Sequence, residues 1–313
     1  MPMWESQLLN RTEIDDEAWN AFVDLSPQRY LYYYTWYLDA VCPGWQAVQV
    51  AHGGETVLQW PLPIKKKGPL PYAYQPRLTQ FGGPVFRAFK EQRHRQHHQI
   101  KSALQEAIKA LPKLVAIDIN LHPELSFFMP FQWAGYKVKP RFTYWLPLEA
   151  GYGDLKNEFS SSIRNHLKKA AKAGLDITKT EDPSQFLSLA LRATVYNDAE
   201  AETFQAIWKA LSGHRQAFIL EAHTPDGQLA AAAAFIPDVR NFIFFGNALS
   251  PSLRNSGAGS LLIAEGIRTA CESCQHEYFD FEGSMLPPVE QYFRAFNPEG
   301  VMYLNISRKK LMP

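Results

Sequence analysis

The sequence predicts an α+β fold in two successive units, residues 1–140 and 141–313. Three observations predict it. At 313 residues the chain is longer than the ~250–300 residues at which one core stops growing. Helical and strand periodicities alternate along the whole length, and their order partly repeats after residue 140. Hydrophobic residues make up 46% and charged residues 20%, which supplies packed cores and excludes wholesale disorder.

Each element has its own warrant. Residues 15–25 begin Asp15-Asp16-Glu17, acids suited to the positive end of a helix dipole, and Ser26-Pro27 ends that helix. Residues 32–41 read as an aromatic helix stopped by Pro43-Gly44. Strands 46–52 and 55–61 flank Gly53-Gly54, a hairpin signal. Residues 79–86 read as a strand broken by Gly82-Gly83-Pro84, 89–111 as a polar basic helix, and 114–120 as a strand. The second unit predicts a strand at 142–148, then helices at 152–174, 183–194 and 202–211. Strands 217–223 and 228–237 follow, joined through Thr224-Pro225-Asp226-Gly227, whose Asp-Gly gives the turn its backbone freedom. The remainder reads as strand 240–248, helix 258–274, strand 277–283, short helix 289–296 and strand 301–307.

Composition excludes several function classes. With 32 Lys+Arg against 31 Asp+Glu the net charge is +1, which argues against a protein that coats DNA, since that needs a basic surface. Apolar runs such as 229–237 fall short of the ~20 residues that span a bilayer. Residues 1–16 reach acids early and hold no signal-peptide core, so the cytoplasm is the expected compartment. Three cysteines make a disulfide framework unexpected.

Residues 242–264 carry the most chemistry. A strand of buried type runs into a loop and then an apolar helix, with Arg254-Asn255-Ser256-Gly257-Ala258-Gly259 at the junction. Two glycines let the backbone turn and approach a ligand closely. A helix starting there presents unpaired amides and the positive dipole end, a cradle for phosphate. Arg254 would add a charge-assisted hydrogen bond. A plain glycine-rich loop before a helix explains the same residues equally well.

Arg254, Gly257 and Gly259 resemble the Arg-x-x-Gly-x-Gly acyl-CoA pyrophosphate loop of GNAT acyltransferases, which sits between a strand and a helix in the same way. The succession of strand 278–281, the aromatic pair Tyr292-Phe293 and strand 301–306 resembles the rest of that fold. With residues 143–148, 159–170 and 280–285, the sequence resembles the FemAB-like acyltransferases, two GNAT-like units in tandem, best over 142–307. The first half matches by rhythm and by Tyr34-Thr35-Trp36-Tyr37. The resemblance implies two mostly antiparallel sheets flanked by helices, with a V-shaped opening between two diverging strands for the donor. It implies a single donor site, in the second unit, formed by Arg254, Ser256, Gly257, Ala258, Gly259 and Ser260. Amides near Phe245 and Asn247 would polarise the reacting carbonyl. Tyr292 would protonate the leaving group.

Other residues take their meaning beside that loop. Asp280, Glu282 and Ser284 alternate and would share one strand face, so Glu282 or Asp280 is a candidate base for an amine. Capping a helix or pairing with an arginine explains the carboxylates as well. Arg164, Lys168 and Lys172 recur every four residues on one helix face. A solvated face explains them; the Fem-like resemblance implies instead that they hold a phosphorylated acceptor, with Arg77, beside Gly82 and Gly83, as a further acceptor contact. Cys271, Cys274 and His276 have metal-like spacing without a fourth ligand, and His94 and His98 lack the glutamate of a zinc-protease helix, so no metal is expected. Tyr30, Tyr32 to Tyr34, Trp36 and Tyr37 read as core between the units rather than a sugar-stacking face.

The expected activity is transfer of an acyl or aminoacyl group from acyl-CoA or aminoacyl-tRNA to an amine, on a small molecule or a cell-wall precursor, with no tightly bound cofactor. The alternative is a degenerate GNAT-fold protein that binds a nucleotide or cell-wall precursor without turnover. The ~50-residue coiled-coil arm of some Fem peptidyltransferases has no counterpart here, which leaves tRNA binding through it unsupported. Oligomeric state is not legible.

Overall fold

The computed structural model describes residues 3–89, 92–125, 127–283 and 285–309. Ser284, expected on the carboxylate face, lies outside them. The chain forms two compact units, residues 1–141 with 302–313, and residues 142–301. The final strand, expected to complete the second unit, therefore belongs over residues 302–309 to the first.

The first unit runs β1 (Trp4–Asn10), α1 (Asp16–Asp24), α2 (Thr35–Val41), β2 (Gln46–His52), β3 (Glu55–Leu62), β4 (Ile64–Lys67), β5 (Leu70–Tyr74), β6 (Val85–Phe86), α3 (Arg93–Ala110), β7 (Ala116–Asn120) and α4 (Met129–Trp133). β8 (Lys137–Pro147) enters the second, which continues α5 (Gly151–Glu158), α6 (Ser161–Lys172), β9 (Asp176–Thr180), α7 (Ser184–Arg192), α8 (Asp198–Leu211), β10 (Phe218–His223), β11 (Leu229–Pro237), β12 (Asn241–Leu249), α9 (Ala258–Ser273), β13 (Tyr278–Asp280) and α10 (Pro287–Arg294). β14 (Glu299–Lys309) closes the described chain.

In the first unit β1, β2, β3 and β6 form an antiparallel sheet in that order. The Asp15 side chain accepts the Ala18 amide at 3.0 Å and starts α1, which buries Trp19 and Val23. On the α3 side, Val48, Val50, Leu58 and Trp60 pack with Leu104 and Ala107. A second group pairs β4 antiparallel with β5, β5 parallel with β7, and β7 antiparallel with β14. The tyrosine run packs within this unit: Tyr30, Tyr32, Tyr33 and Tyr37 are fully buried, with Tyr30 and Tyr32 against Phe81.

In the second unit β9, β10, β11 and β12 are antiparallel neighbours, β13 joins β12 in parallel, and β8 pairs antiparallel with β13. The alanines 230–234 of β11 are buried and let helices lie close on the sheet. Phe242 and Phe244 face the α9 core, while Phe245 meets Phe204 of α8 at 5.7 Å. Among the described residues no helix is long and apolar enough to cross a membrane.

Differences from the sequence reading have physical causes. β1 and β9 are mostly exposed, so no apolar alternation marks them. β4 reads Ile-Lys-Lys-Lys, charged as edge strands are. The helix expected over 152–174 is two helices, because Ser160 caps α6 by accepting the Ile163 amide and its own amide donates to the Ala295 carbonyl. The strand expected over 277–283 ends at Asp280, since Glu282 and Gly283 take positive φ of 57° and 48°.

Candidate functional site

The site grows from a split in the second sheet. β12 and β13 pair in parallel over three positions, Asn241↔Tyr278 to Ile243↔Asp280. Beyond Asp280 β13 stops while β12 continues to Leu249, and among the described residues no strand pairs with that edge of β12 there. On the opposite edge Phe235 faces Phe244 and Ala234 faces Gly246, which makes Phe245 the extra residue of a β-bulge. Bulges re-aim side chains and leave backbone groups outside the ladder. The amides expected to polarise a carbonyl, around Phe245 and Asn247, lie at this bulge.

β12 leads through the loop to α9. Gly257 is its N-cap at φ 87°, and the first helical bond runs from the Leu261 amide to the Gly257 carbonyl at 3.0 Å. The preceding amides, including those of Gly259 and Ser260, have no intrahelical acceptor. Side-chain carbon at Gly257 would lie 2.3 Å from the His166 carbonyl oxygen of α6, and at Gly259 3.1 Å from Leu249. The glycines therefore permit close helix packing, a reason the ligand-approach reading did not contain.

A cavity of about 250 Å³ opens at this helix start. Asn247, Arg254, Gly257, Gly259, Ser260 and Tyr292 line it. His166, Lys169, Leu249 and Asn255 complete it. Phe245, Ser256 and Ala258 do not line it. The Phe245 side chain turns to α8, and the Ser256 hydroxyl accepts the Ala258 amide at 3.3 Å, which shapes the loop.

Inside the cavity the Ser260 hydroxyl is 2.9 Å from the Tyr292 hydroxyl and 3.0 Å from His166 Nδ1. Ser260 is buried, and Tyr292 and His166 are half-buried. Burial pushes the Tyr292 phenol up to about 12, against the opposing effect of the Ser260 hydrogen bond. At the Ser260 and Tyr292 end, Glu290 of α10 accepts from the Tyr144 hydroxyl at 2.6 Å and from Arg294 at 2.9 Å, which fixes the helix that carries Tyr292.

The two carboxylates differ. Asp280 is fully buried and accepts from Trp145 Nε1 at 2.6 Å, the Glu282 amide at 2.8 Å and the Thr143 hydroxyl at 3.4 Å. Its oxygens join β8, β13 and the turn. Glu282 is half exposed as a residue, but its Oε1 is shut from solvent, and burial holds its carboxyl well above the usual carboxylate range. Because the strand ends at Asp280, the period-two argument that aligned the pair does not apply.

The expected basic residues separate. Arg164 donates to the carbonyls of Asn157, at 3.2 Å, and Phe159, closing the end of α5. Lys168 and Lys172 are exposed and do not line the cavity. Arg77 is exposed in the first unit, between β5 and β6. The cation on α6 that reaches the cavity is Lys169, one position from the face that four-residue spacing selected. His166 was also missed. Its signal was a histidine beside the apolar positions Ile163, Leu167 and Ala170 in an otherwise basic helix. Burial pushes the Cys271 thiol up to about 11, away from reactive thiolate character. Among the described residues no group of three or more His, Cys, Asp or Glu side chains is placed to hold a metal ion.

Residues 157–294 match the family model of the acetyltransferase (GNAT) domain, a span that contains the whole cavity. That matched span, a little under half of the chain, lies within the second unit. Over nearly its full length the chain also shares the fold of known tandem GNAT proteins. The crystal structure of FemX matches with TM-score 0.66 at 14% identity, covering 96% of each chain. A tandem GNAT protein from the clavulanic acid biosynthesis pathway matches with TM-score 0.60 at 12% identity, covering 99% of this chain and 100% of its own. L-PGS from Bacillus licheniformis matches with TM-score 0.54 at 11% identity, covering 95% and 93%. These likenesses establish the fold. No curated protein matches the sequence.

Proposed function

We propose that the second unit is an N-acyltransferase taking its acyl group from a phosphate-bearing donor, acyl-CoA in the first instance, and passing it to an amine. The observation that carries this reading is the unpartnered edge of β12 leading into the cavity at the α9 start. An extended donor arm would lie along that edge, with its diphosphate on the amides of Gly259 and Ser260 and beside Arg254 and Lys169. The bulge at Phe245 presents amides to the reacting carbonyl oxygen. Glu282 in its ionised form, which burial makes a stronger base than an ordinary carboxylate, takes the proton of the attacking amine. Tyr292 gives a proton to the departing thiolate. Proximity and proton transfer supply the rate, the latter typically about 100- to 10,000-fold. The Fem-like resemblance narrows the acceptor to an amine of a cell-wall precursor, with aminoacyl-tRNA as the alternative donor.

Calorimetry with acetyl-CoA, CoA and uridine-diphospho-muramyl peptides tests the reading, paired with a turnover assay. One donor bound per chain, with release of free thiol when an amine is present, is the expected result. No binding of any of the three overturns it. One observation favours a binding-only protein: Asp280, one of the two candidate bases, already accepts from three donors of the fold. Tight binding without turnover would establish that second reading.

A further inference from the structure

We propose that His166 supplies the leaving group's proton through a relay of three groups: His166 Nδ1, the Ser260 hydroxyl and the Tyr292 hydroxyl. The inference rests on the reading of Tyr292 as the acid and adds the source of its proton. All three side chains line one cavity, with spacings of 3.0 Å and 2.9 Å. A serine hydroxyl has one proton to give and two lone pairs. If Nδ1–H donates to Ser260, Ser260 donates to Tyr292, and the phenolic hydrogen is left to point into the cavity. The chain is held in place from both ends. The His166 carbonyl packs on Gly257, and Tyr292 sits on a helix anchored by Glu290 to Tyr144.

The relay answers a difficulty that Tyr292 alone would face. A phenol pushed up to about 12 is a poor acid toward a thiolate whose conjugate acid has a pKa near about 8.5. Direct transfer would run uphill and leave a buried phenolate. With the relay no phenolate persists. As the carbon–sulfur bond breaks, its electron pair goes to sulfur, and the Tyr292 proton joins it. The Ser260 proton passes to the Tyr292 oxygen and the Nδ1 proton passes to the Ser260 oxygen. The ring then regains a proton from solvent, which restores its starting state for the next turnover.

The test measures turnover of acetyl-CoA with a panel of amine acceptors, together with CoA binding, for Tyr292→Phe, His166→Ala, His166→Asn and the double variant Tyr292→Phe/His166→Ala. Tyr292→Phe and His166→Ala are each expected to lower kcat by about 100-fold with CoA affinity within twofold, and the double variant to lose no more. Added imidazole should restore His166→Ala but not Tyr292→Phe. His166→Asn keeps a hydrogen-bond donor toward Ser260 but has no proton to release, so it should be as slow as His166→Ala. It also serves as the measurement should the alanine variant unfold. Wild-type kcat for His166→Asn, or no imidazole rescue in a folded His166→Ala, overturns the relay while the Tyr292 reading stands. Full activity of Tyr292→Phe, or no turnover by the unaltered chain, overturns the acid reading and the relay with it.

Discussion

Each unit contains one parallel pair of strands with a helix in the crossover between them, and the two pairs end differently. In the first unit β5 and β7 pair over Tyr72↔Ala116 to Tyr74↔Asp118, with α3 between them in sequence. In the second, β12 and β13 pair over the same number of positions, with α9 between them. Past the first pair the chain stitches the gap shut. The Gln75 amide donates to the Asp118 carbonyl at 2.9 Å, Gln75 Oε1 accepts the Asn120 amide at 3.0 Å, and the Gly82 amide donates to the Asn120 carbonyl at 2.8 Å. Past the second pair β12 keeps β11 on one edge, and on the other edge no strand among the described residues follows it towards the cavity. The crossover helices differ as well. Neither has a side-chain cap, but α9 starts on Gly257-Ala258-Gly259 and α3 on Arg93-His94-Arg95. A shared framework thus acquires a candidate donor site where the strand edge stays open and the helix starts on glycines.

The largest expected effect comes from closing the open side. Gly257→Val would force a side chain onto a φ of 87° and against the His166 carbonyl, costing about 3 kcal/mol or more. Thermal unfolding should show the loss and calorimetry should find no CoA binding; an undisturbed Tm would break the packing account. Next, Tyr292→Phe should lower transfer by about 100-fold or more, while Tyr33→Phe, which removes a 2.7 Å bond to the Gly82 carbonyl in the first unit, should leave kcat intact and cost about 1 kcal/mol of stability. Gln75→Ala unpicks the stitching and should destabilise by about 1–3 kcal/mol. CoA stoichiometry should remain one per chain, and a second site would break the comparison.

A smaller effect is a pH slope. Glu282 holds its proton more tightly folded than unfolded, so the folded state binds more protons above the unfolded carboxyl range. Stability from this group is complete at acid pH and is lost as pH rises from about 4.3 through the raised folded value. Melting curves from pH 4 to 8 should show that decline, and Glu282→Gln should flatten it. Smallest of all, Lys169→Ala should weaken CoA by about fivefold, and Lys168→Ala not at all, because one lines the cavity and the other faces water.

The same comparison explains what sequence could and could not show. Buried runs such as β11 and β12, the α9 helix and the Gly257-Ala258-Gly259 junction carry strong local signals, and they include much of the cavity. Edge strands such as β1, β4 and β9 bury too little to leave a pattern. Asp280 reads as a base from its neighbours in sequence, but its role is set by Trp145 and Thr143, over 130 residues away. Lys169 and His166 were hidden because four-residue spacing marks the most charged stripe of α6, and the cavity takes the stripe beside it.

The return of β14 to the first unit has a bearing on biosynthesis. Residues 142–301 form a contiguous stretch, so the second unit has its strands and helices before synthesis ends. The first unit begins at the N-terminus yet lacks the partner of β7 until Asn305 to Lys309 have been translated. Until then β7 exposes the row of amides and carbonyls that β14 will occupy, an adhesive edge on the ribosome. The half made first is therefore the half finished last.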